Sequence, residues 1–566
     1  MHGISLSTIP ELVDGVTRLA VDADLSGTQN LLALTDDSMF GAGKEPAELR
    51  KLMRRLAARI SRETLRSDRP GRSEDNPNIP SGYTYLLQFI AHDMVNTSIS
   101  LAATAGRRFG FQNARQQPLT LDTIYGGGPD VSPQVYEYSA QCVHSRGLMP
   151  RTKMRCGRAQ DRVHPDEKMP FADIGRAMPV EVQDSGLDSS PGNPECLRTE
   201  ALVADARNDD HALIAQVTLL FHRMHNFILD QLNSATPAKT ASDAYRNLIC
   251  ARFILTLLYR RIIVKDVMYR LLDPSVYRYY FLPDINSGKL VCDPDAGVPV
   301  EFSHGAFRCG HAMTRNSYRV RDDTPIPATR AMQFSSRRAP QFVPLSKEWI
   351  VRWEQFFEIN GKKPANLSRR LRPDFSSLAR SEFYFPPLLL SSDGPGLPNR
   401  DLVSAVYARI WSAPKLIDAL RSKNPELANF LPTYQREYAA KLTAWLNETA
   451  DPKGVSEQFE AGDIAAIVDD PPLPFFVLFE ADIKHDGQRL GPLGSIIIAE
   501  AIIGAMVKSP LGKGPFVLDP MRLLKDQTGE FRKLGVDEKA FSVISEMQSF
   551  EDLLVFMNAH GLLHQG

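Results

Sequence analysis

Leu86-Leu-Gln-Phe-Ile-Ala-His-Asp-Met-Val95 is a short apolar run with three polar residues where a purely structural helix has no use for them. On a helix, Gln88 and His92 are four residues apart and share one face, whereas Asp93 points about 100° away. The run therefore predicts one helix that addresses two different sites. A lone histidine is more often a hydrogen-bonded core residue than a functional one, so the remaining sequence has to decide its role.

Composition indicates an ordinary globular protein. The chain has 566 residues, of which 43% are hydrophobic and 23% charged, and its net charge is −1. This balance gives no indication of a nucleic-acid surface. Length alone allows ~3–4 domains, but no long polar linker separates two cores. We therefore expect an N-terminal extension (1–75) packed on one large domain (76–566).

The compartment is inferred from the N-terminus and the cysteines. Residues 1–10 lack a basic region followed by a long apolar run, which argues against a secretory signal. The apolar run 495–507 is too short to span a bilayer and contains Glu500. Scattered cysteines without a CxxC pair are typical of reduced thiols, so we expect a cytoplasmic protein without a membrane span. These cysteines are Cys142, Cys156, Cys196, Cys250, Cys292 and Cys309.

Apolar residues recur mostly at helical spacing. Ile214 to Leu232 carries one continuous apolar stripe, which predicts a central helix. No convincing alternation of period two occurs, so the fold class is predicted to be mainly α, with few or no strands. Further helices are predicted over 46–62, 247–272, 349–360, 401–420, 432–449, 493–507 and 550–559.

Three other places could hold a metal or a cofactor. Side-chain oxygens of Thr120, Asp122 and Thr123 suit a hard cation such as calcium. His222 and His225 are three apart, but no HExxH spacing is present, so hydrogen-bonding roles are favoured for them. His311 lies between Gly310 and Ala312, and such small neighbours let a flat ligand such as haem approach the imidazole.

Four segments, in order and with similar spacing between about residues 75 and 510, resemble the animal haem peroxidase family. This is the peroxidase–cyclooxygenase superfamily, and the resemblance is to its bacterial branch. It implies a single large helical domain with haem between the central helices. The segments are Gln88-Phe-Ile-Ala-His-Asp93; Ala204-Asp-Ala-Arg-Asn-Asp-Asp210 with Phe221-His-Arg-Met-His-Asn226; Pro299-Val-Glu-Phe302 with Phe307-Arg-Cys-Gly-His311; and Pro472-Leu-Pro-Phe-Phe through Gln488-Arg-Leu-Gly-Pro-Leu-Gly494.

The resemblance implies a role for each matching residue. His92 matches the distal histidine, Arg207 the distal arginine, and His311 the proximal ligand of the haem iron. Gln88 matches a glutamine near the distal water or halide, and Arg308 an arginine that pairs with a haem propionate. Calcium is implied beside the distal helix, with the ligands Asp93, Thr120 and Asp122.

These residues suit peroxide cleavage. A neutral His92 can take a proton from hydrogen peroxide and return it to the departing oxygen. The guanidinium of Arg207 stabilises the negative charge that develops on that oxygen. The resemblance thus implies a peroxidase that uses haem b and a ferryl intermediate to oxidise a small organic donor or halide. It fits a response to oxidative stress or a biosynthetic step equally well.

Two departures from the family pattern concern attachment of the haem. Relatives that bind haem through ester bonds have an Asp immediately before the distal histidine and a Glu three residues after the distal arginine. This chain has Ala91 and Asp210 at those positions. Ala91 cannot form an ester, so we expect mostly non-covalent haem, with a single bond through Asp210 possible.

Other departures concern the proximal side and the calcium loop. Asp401 stands where the family commonly has an Asn that accepts a hydrogen bond from the proximal histidine. A carboxylate there would make the His311 imidazole more anionic. Ser404 replaces an arginine of the same segment. Thr120 stands where relatives often carry Asp, which implies weaker calcium binding.

Two alternative functions remain open. A fatty-acid dioxygenase of the same superfamily uses a tyrosine three residues before the proximal histidine, and Arg308 at that position argues against this activity. A non-catalytic haem-binding protein would not need both His92 and Arg207. The identity of the donor and the oligomeric state remain open, and no nucleic-acid partner is expected.

Overall fold

The computed structural model describes most of the chain. The described residues are 30–60, 73–96, 113, 115, 117–137, 151–160, 164, 166, 168–177, 180–181, 197–198, 200–283, 287–332, 345–373, 396–448, 458–508 and 547–563. The predicted N-terminal extension is thus described only from residue 30, and residues 61–72 lie outside the described part.

Helices dominate the described residues, which confirms the predicted fold class. They are α1 (Pro46–Arg59), α2 (Gly82–Met94), α3 (Asp122–Tyr125), α4 (Ala212–Ala235), α5 (Ala241–Ile262), α6 (Met268–Leu271), α7 (Pro274–Phe281), α8 (Val300–Ser303), α9 (Ala328–Ala331), α10 (Leu397–Tyr407), α11 (Ala413–Lys423), α12 (Ala440–Glu448), α13 (Asp463–Asp469), α14 (Leu473–His485), α15 (Pro492–Lys508) and α16 (Phe550–Ala559). Short 3₁₀ helices supplement them, notably Ala206–Asp209 and Ala306–Met313.

Strands are short and occur in two-stranded antiparallel pairs. β1 (Asp75–Pro80) pairs with β8 (Leu367–Arg369), and β2 (Cys156–Gln160) pairs with β3 (Lys168–Ile174). β4 (Val180–Glu181) pairs with β5 (Leu197–Arg198), and β6 (Ser317–Tyr318) pairs with β7 (Ile326–Pro327). The sequences of β1, β2 and β3 do not alternate strictly between apolar and polar residues, and the other strands have only two or three residues, so the sequence predicted few or no strands.

The centre of the core is the junction of α2, α4 and α5. Phe89 of α2 stacks on Phe221 of α4 with ring centroids 4.5 Å apart, and Tyr259 of α5 meets both rings edge-on. The apolar stripe on α4 is buried as predicted. α2 also contacts the 3₁₀ helix Ala306–Met313, so the elements that carry His92 and His311 are neighbours.

Residues 30–60 join the same hydrophobic core. α1 packs on α10 and buries Leu49, Met53 and Leu56. Residues 30–60 therefore pack on the helical core, while the division of the chain at residue 75 stays a prediction.

Two helix predictions were wrong. Residues 349–360 form only short 3₁₀ turns, because backbone N–H groups there bond elsewhere: Val351 donates to the Gln216 side chain and Arg352 to the carbonyl of Val320. The predicted helix 401–420 is split into α10 and α11. Between them Trp411 donates its backbone N–H to Glu301, and Pro414 opens α11.

No described helix is long and apolar enough to cross a membrane. The most apolar one, α15, is buried and carries Glu500, whose carboxylate accepts hydrogen bonds from the Tyr280 hydroxyl and the backbone of Val291 and Cys292.

Candidate active site

The predicted division of α2 into two faces is present. His92 is 7% exposed and Gln88 is half-buried on one face, whereas Asp93 is fully buried on another. The helix ends at Met94 because Val95 has extended backbone. The two predicted sites, one beside His92 and one beside Asp93, therefore both lie at the C-terminal end of α2.

His92 has a defined tautomer. Its Nδ1 lies 2.9 Å from Oδ1 of Asn208, whose Nδ2 donates to the carbonyl and the hydroxyl of Thr123. The amide oxygen therefore faces the imidazole, so Nδ1 carries the proton and Nε2 keeps its lone pair. Burial, and then the charge of Arg207, lower the pKa of His92 to about 4. The imidazole is neutral near pH 7.

Hydrogen bonds fix one edge of the Arg207 guanidinium group. Its Nε and Nη2 bond both oxygens of Asp205, at 2.9 and 2.6 Å, and Nη2 also donates to the backbone carbonyl of His92. Asp205 caps the 3₁₀ helix Ala206–Asp209 through the backbone N–H of Arg207. Nη1 has no partner among the described residues. The side chain, 30% exposed, thus keeps a free donor.

Arg115 is a second guanidinium at this site that sequence analysis missed. Its Nη2 donates to Asp205 Oδ2 at 2.7 Å and to the carbonyl of His92 at 2.9 Å. Burial would raise the pKa of Asp205, but the hydrogen bond and charge of Arg207, with Arg115 contributing, lower it to about 2. Arg115 lies in an irregular stretch with no periodic signal, so only the fold reveals the contact.

His211 positions Gln88. It begins α4, where its Nδ1 accepts the backbone N–H of Ile214, so Nε2 carries the proton and donates to Gln88 Oε1 at 2.9 Å. The amide nitrogen of Gln88 has no partner in the described part of the chain. Sequence analysis quoted Gln88 but did not identify His211 as its partner.

On the other side, His311 pairs with Asp401. Nδ1 of His311 lies 2.7 Å from Asp401 Oδ2, which is the hydrogen bond expected from the sequence. Asp401 is almost fully buried, and its other oxygen lies 3.6 Å from Arg308 Nη1. The His311 side chain is 33% exposed, and its Nε2 bonds no described group.

These residues fit a haem group. An imidazole with Nδ1 held by a carboxylate presents Nε2 as a ligand for iron. A Cβ added at Gly310 would meet no atom within 4 Å, so the space beside His311 is open, as expected. His92 and His311 also come from elements in contact.

The other residues considered as haem contacts, Arg308, Ser404 and Asp210, lie near the following groups of the protein. Arg308 donates from Nε to the carbonyl of Ser303 and is 25% exposed, so its pairing with a propionate stays a prediction. Ser404 bonds Nδ1 of the buried His304. Asp210 is partly exposed and follows Asp209, which is bound by the buried Arg176.

The predicted calcium residues are neighbours, and donors of the protein itself bond to the oxygens of Asp93 and Asp122. Both oxygens of Asp93 accept backbone N–H groups, from Leu121 at 3.0 Å and Thr123 at 3.2 Å. Asp122 Oδ1 accepts from the Thr120 hydroxyl and from Arg252. Calcium requires converging oxygens, whereas N–H groups and a guanidinium take these positions. The described residues contain no cluster of three or more His, Cys, Asp or Glu side chains that could hold a metal.

His222 and His225 are hydrogen-bonding core residues, as favoured. His222 bonds the carbonyl of Arg155, and His225 bonds the carbonyl of Thr152 and the hydroxyl of Tyr125.

Comparison with known proteins agrees with the resemblance read from the sequence. A family model described as animal haem peroxidase matches residues 153–359, a span that includes Arg207 and His311. No curated protein sequence matches the chain.

Solved structures are similar in fold. A fatty acid alpha-dioxygenase from Arabidopsis thaliana is 13% identical, with a TM-score of 0.50 over 94% of this chain and 78% of that one. The Oryza sativa fatty acid alpha-dioxygenase is 12% identical, with a TM-score of 0.49 over 92% and 80%. Peroxidase A from Dictyostelium discoideum is 11% identical, with a TM-score of 0.48 over 84% and 88%. At such identities the Arabidopsis likeness shows a shared fold alone.

Proposed function

We propose that the chain is a haem-dependent peroxidase of the animal haem peroxidase family, whose model matches residues 153–359. Its substrates are hydrogen peroxide and a small organic donor or halide. The observation that carries the proposal is the pairing of a neutral His92, with Nε2 free to accept a proton, and Arg207, with Nη1 free to donate.

Each group of the site has its own role in the proposed reaction. Bound haem b would supply the iron on which peroxide is cleaved and the electron acceptor for the donor. His92 Nε2 accepts the peroxide proton and returns it to the departing oxygen. Arg207 stabilises the developing negative charge through Nη1, and the free amide of Gln88 can donate beside it. Asn208 and Asp205 keep the two principal groups in these orientations.

His311 would hold the iron through Nε2, and Asp401 holds His311. The carboxylate fixes the tautomer and orientation of the imidazole and increases its basicity. Since Ala91 has no carboxylate, α2 cannot tether the haem by an ester. We propose non-covalent haem, with Asp210 the one position that matches a family attachment site.

A fatty-acid dioxygenase is the second candidate, because the fold is shared with the Arabidopsis alpha-dioxygenase. Arg308 stands where that activity places its tyrosine, which favours the peroxidase. A haem protein without catalysis would not require the ordered pair of His92 and Arg207. Oxygen uptake with a fatty acid in the absence of peroxide would support the dioxygenase.

The test compares turnover of hydrogen peroxide with a phenolic donor in wild type and His92→Ala, after a Soret band has established haem binding in both. We expect the variant to lose about 10²–10⁴-fold in rate, the usual contribution of a positioned acid–base group. His560→Ala is the matched control, because His560 is an exposed histidine on the surface. Equal rates for wild type and His92→Ala would contradict the proposal.

A further inference from the structure

We infer that arginine side chains stand in for the divalent cation that the family resemblance implies beside α2, so that this region is built without calcium. The region is the 117–125 loop, which packs under the end of α2. The arginines are Arg115, Arg252 and Arg260.

The loop around Asp93 points backbone N–H groups at the carboxylate, whereas a cation site points oxygen atoms at the ion. Both carboxylate oxygens of Asp93 accept main-chain N–H groups, from Leu121 and Thr123. A calcium loop turns carbonyl and carboxylate oxygens towards one point. Leu119 and Leu121 both have left-handed backbone, with φ of 58° and 59°. Leucine adopts that conformation only where the surrounding contacts impose it.

The second acidic side chain is already paired with a cation. Arg252 Nη2 lies 2.7 Å from Asp122 Oδ1, the same oxygen that accepts the Thr120 hydroxyl. The Arg252 guanidinium also lies over the ring of Tyr125, at 4.9 Å from its centroid. Arg252 therefore bonds to the first residue of α3 and packs on its last.

Two further arginines provide charge around Asp93. The buried Arg260 donates from Nε to the carbonyl of Leu119 at 2.7 Å, so it occupies a loop oxygen of the type calcium would use. Arg115 donates to the backbone carbonyl of His92, the residue before Asp93, and also binds Asp205. Arg260 thus anchors the loop, and Arg115 anchors the end of α2, by contacts that need no metal.

The local charges also oppose a dication. The carboxylates of this region are Asp93, Asp122 and Asp205, and the guanidinium groups are Arg115, Arg207, Arg252 and Arg260. Arg252 pairs with Asp122, and Arg115 and Arg207 both pair with Asp205, so these two carboxylates are already neutralised by the protein's own cations.

The first test measures bound metal and unfolding of the full-length protein. We expect substoichiometric calcium by atomic emission after gel filtration, and the same Tm in EGTA and in excess calcium chloride. One calcium per chain, with a Tm that falls in EGTA and recovers with calcium, would overturn the inference. Neither readout requires peroxidase activity, so failure here is distinguishable from failure of the proposed function.

The second test removes the guanidinium group of Arg252, which pairs with Asp122 in the loop. Arg252→Ala should lower the Tm by about 2 °C or more. Arg246→Ala is the matched control, because Arg246 lies on the same helix and pairs only with the nearby Asp243 at 3.3 Å among the described acidic residues. Equal Tm values for the two variants would also overturn the inference. If Arg252→Ala does not fold, Arg252→Lys, which keeps the charge but not the fork geometry, is compared with Arg246→Lys under the same criterion.

Discussion

His92 Nδ1 lies 2.9 Å from Asn208 Oδ1, and this one hydrogen bond leaves the opposite imidazole nitrogen, Nε2, unprotonated. Asn208 cannot rotate to offer its nitrogen to His92 without losing both bonds to Thr123. The identity of the basic nitrogen therefore depends on the 117–125 loop as well as on α2.

Asn208→Leu should reduce the rate of reaction with hydrogen peroxide by about 10–100-fold, because the imidazole loses the partner that orients it. Asn208→Asp retains an acceptor for Nδ1–H and should recover part of the rate. The added carboxylate should also move the acid limb of the pH profile to higher pH. Stopped-flow rates across pH measure both effects. If Leu and Asp variants had the same pH profile as wild type, Asn208 would have only a structural role.

Arg115→Gln should move the acid limb of the peroxide reaction to higher pH. The pKa of His92 is lowered to about 4 by burial and Arg207, with a further contribution from Arg115. Removal of that positive charge lets the imidazole protonate at higher pH, and the protonated form cannot act as a base. Wild type should keep its rate well below pH 6.5, the ordinary pKa of histidine. Arg151→Gln, on a half-buried arginine that donates to the Pro133 carbonyl, is the control. An unchanged limb in Arg115→Gln would refute this role.

Arg207→Lys should lower kcat/KM for hydrogen peroxide by about 10²–10³-fold, the usual cost of removing one donor to a developing negative charge. A lysine cannot bind Asp205 along one edge and still offer a separate fixed donor. The Soret band should be retained, which separates this loss from loss of haem. A Lys variant with wild-type kcat/KM would contradict the assignment of Nη1.

Asp401→Asn should raise the reduction potential of bound haem, because a neutral amide makes the His311 imidazole less anionic. Haem affinity should fall by about 10–100-fold. Spectroelectrochemical titration measures the potential, and haem transfer to apomyoglobin measures retention. An unchanged potential would show that Asp401 does not act through His311.

Acidified butanone should extract the haem, because Ala91 offers no carboxylate for an ester bond. Asp210→Ala should extract at least as completely as wild type, since Asp210 is the only matching attachment position left. Full retention of haem on the wild-type polypeptide would contradict the proposal of non-covalent binding.

Much of the site follows from local sequence. Gln88, His92 and Asp93 lie as α2 geometry predicted, and the Asp401 contact with His311 is present. The inference of a loop without calcium depends on the direction of the backbone N–H groups of Leu121 and Thr123, which residue types along the chain do not specify. Residues 349–360 have suitable apolar spacing for a helix, yet their backbone bonds to Gln216 and Val320.

By itself the sequence determined the helical class, the central helix α4 and the residues with the right chemistry, because periodicity and residue type act over a few neighbouring positions. Only the tertiary structure decided which nitrogen of His92 is unprotonated and how Arg207 keeps a free donor. It also decided which arginines contact the loop that packs against α2. Each of these depends on a contact between distant parts of the chain, such as Arg115 with Asp205 or Arg252 with Asp122. The physical reason is that hydrogen bonds and ion pairs depend on atomic positions and directions in space, which residue spacing along a chain does not specify.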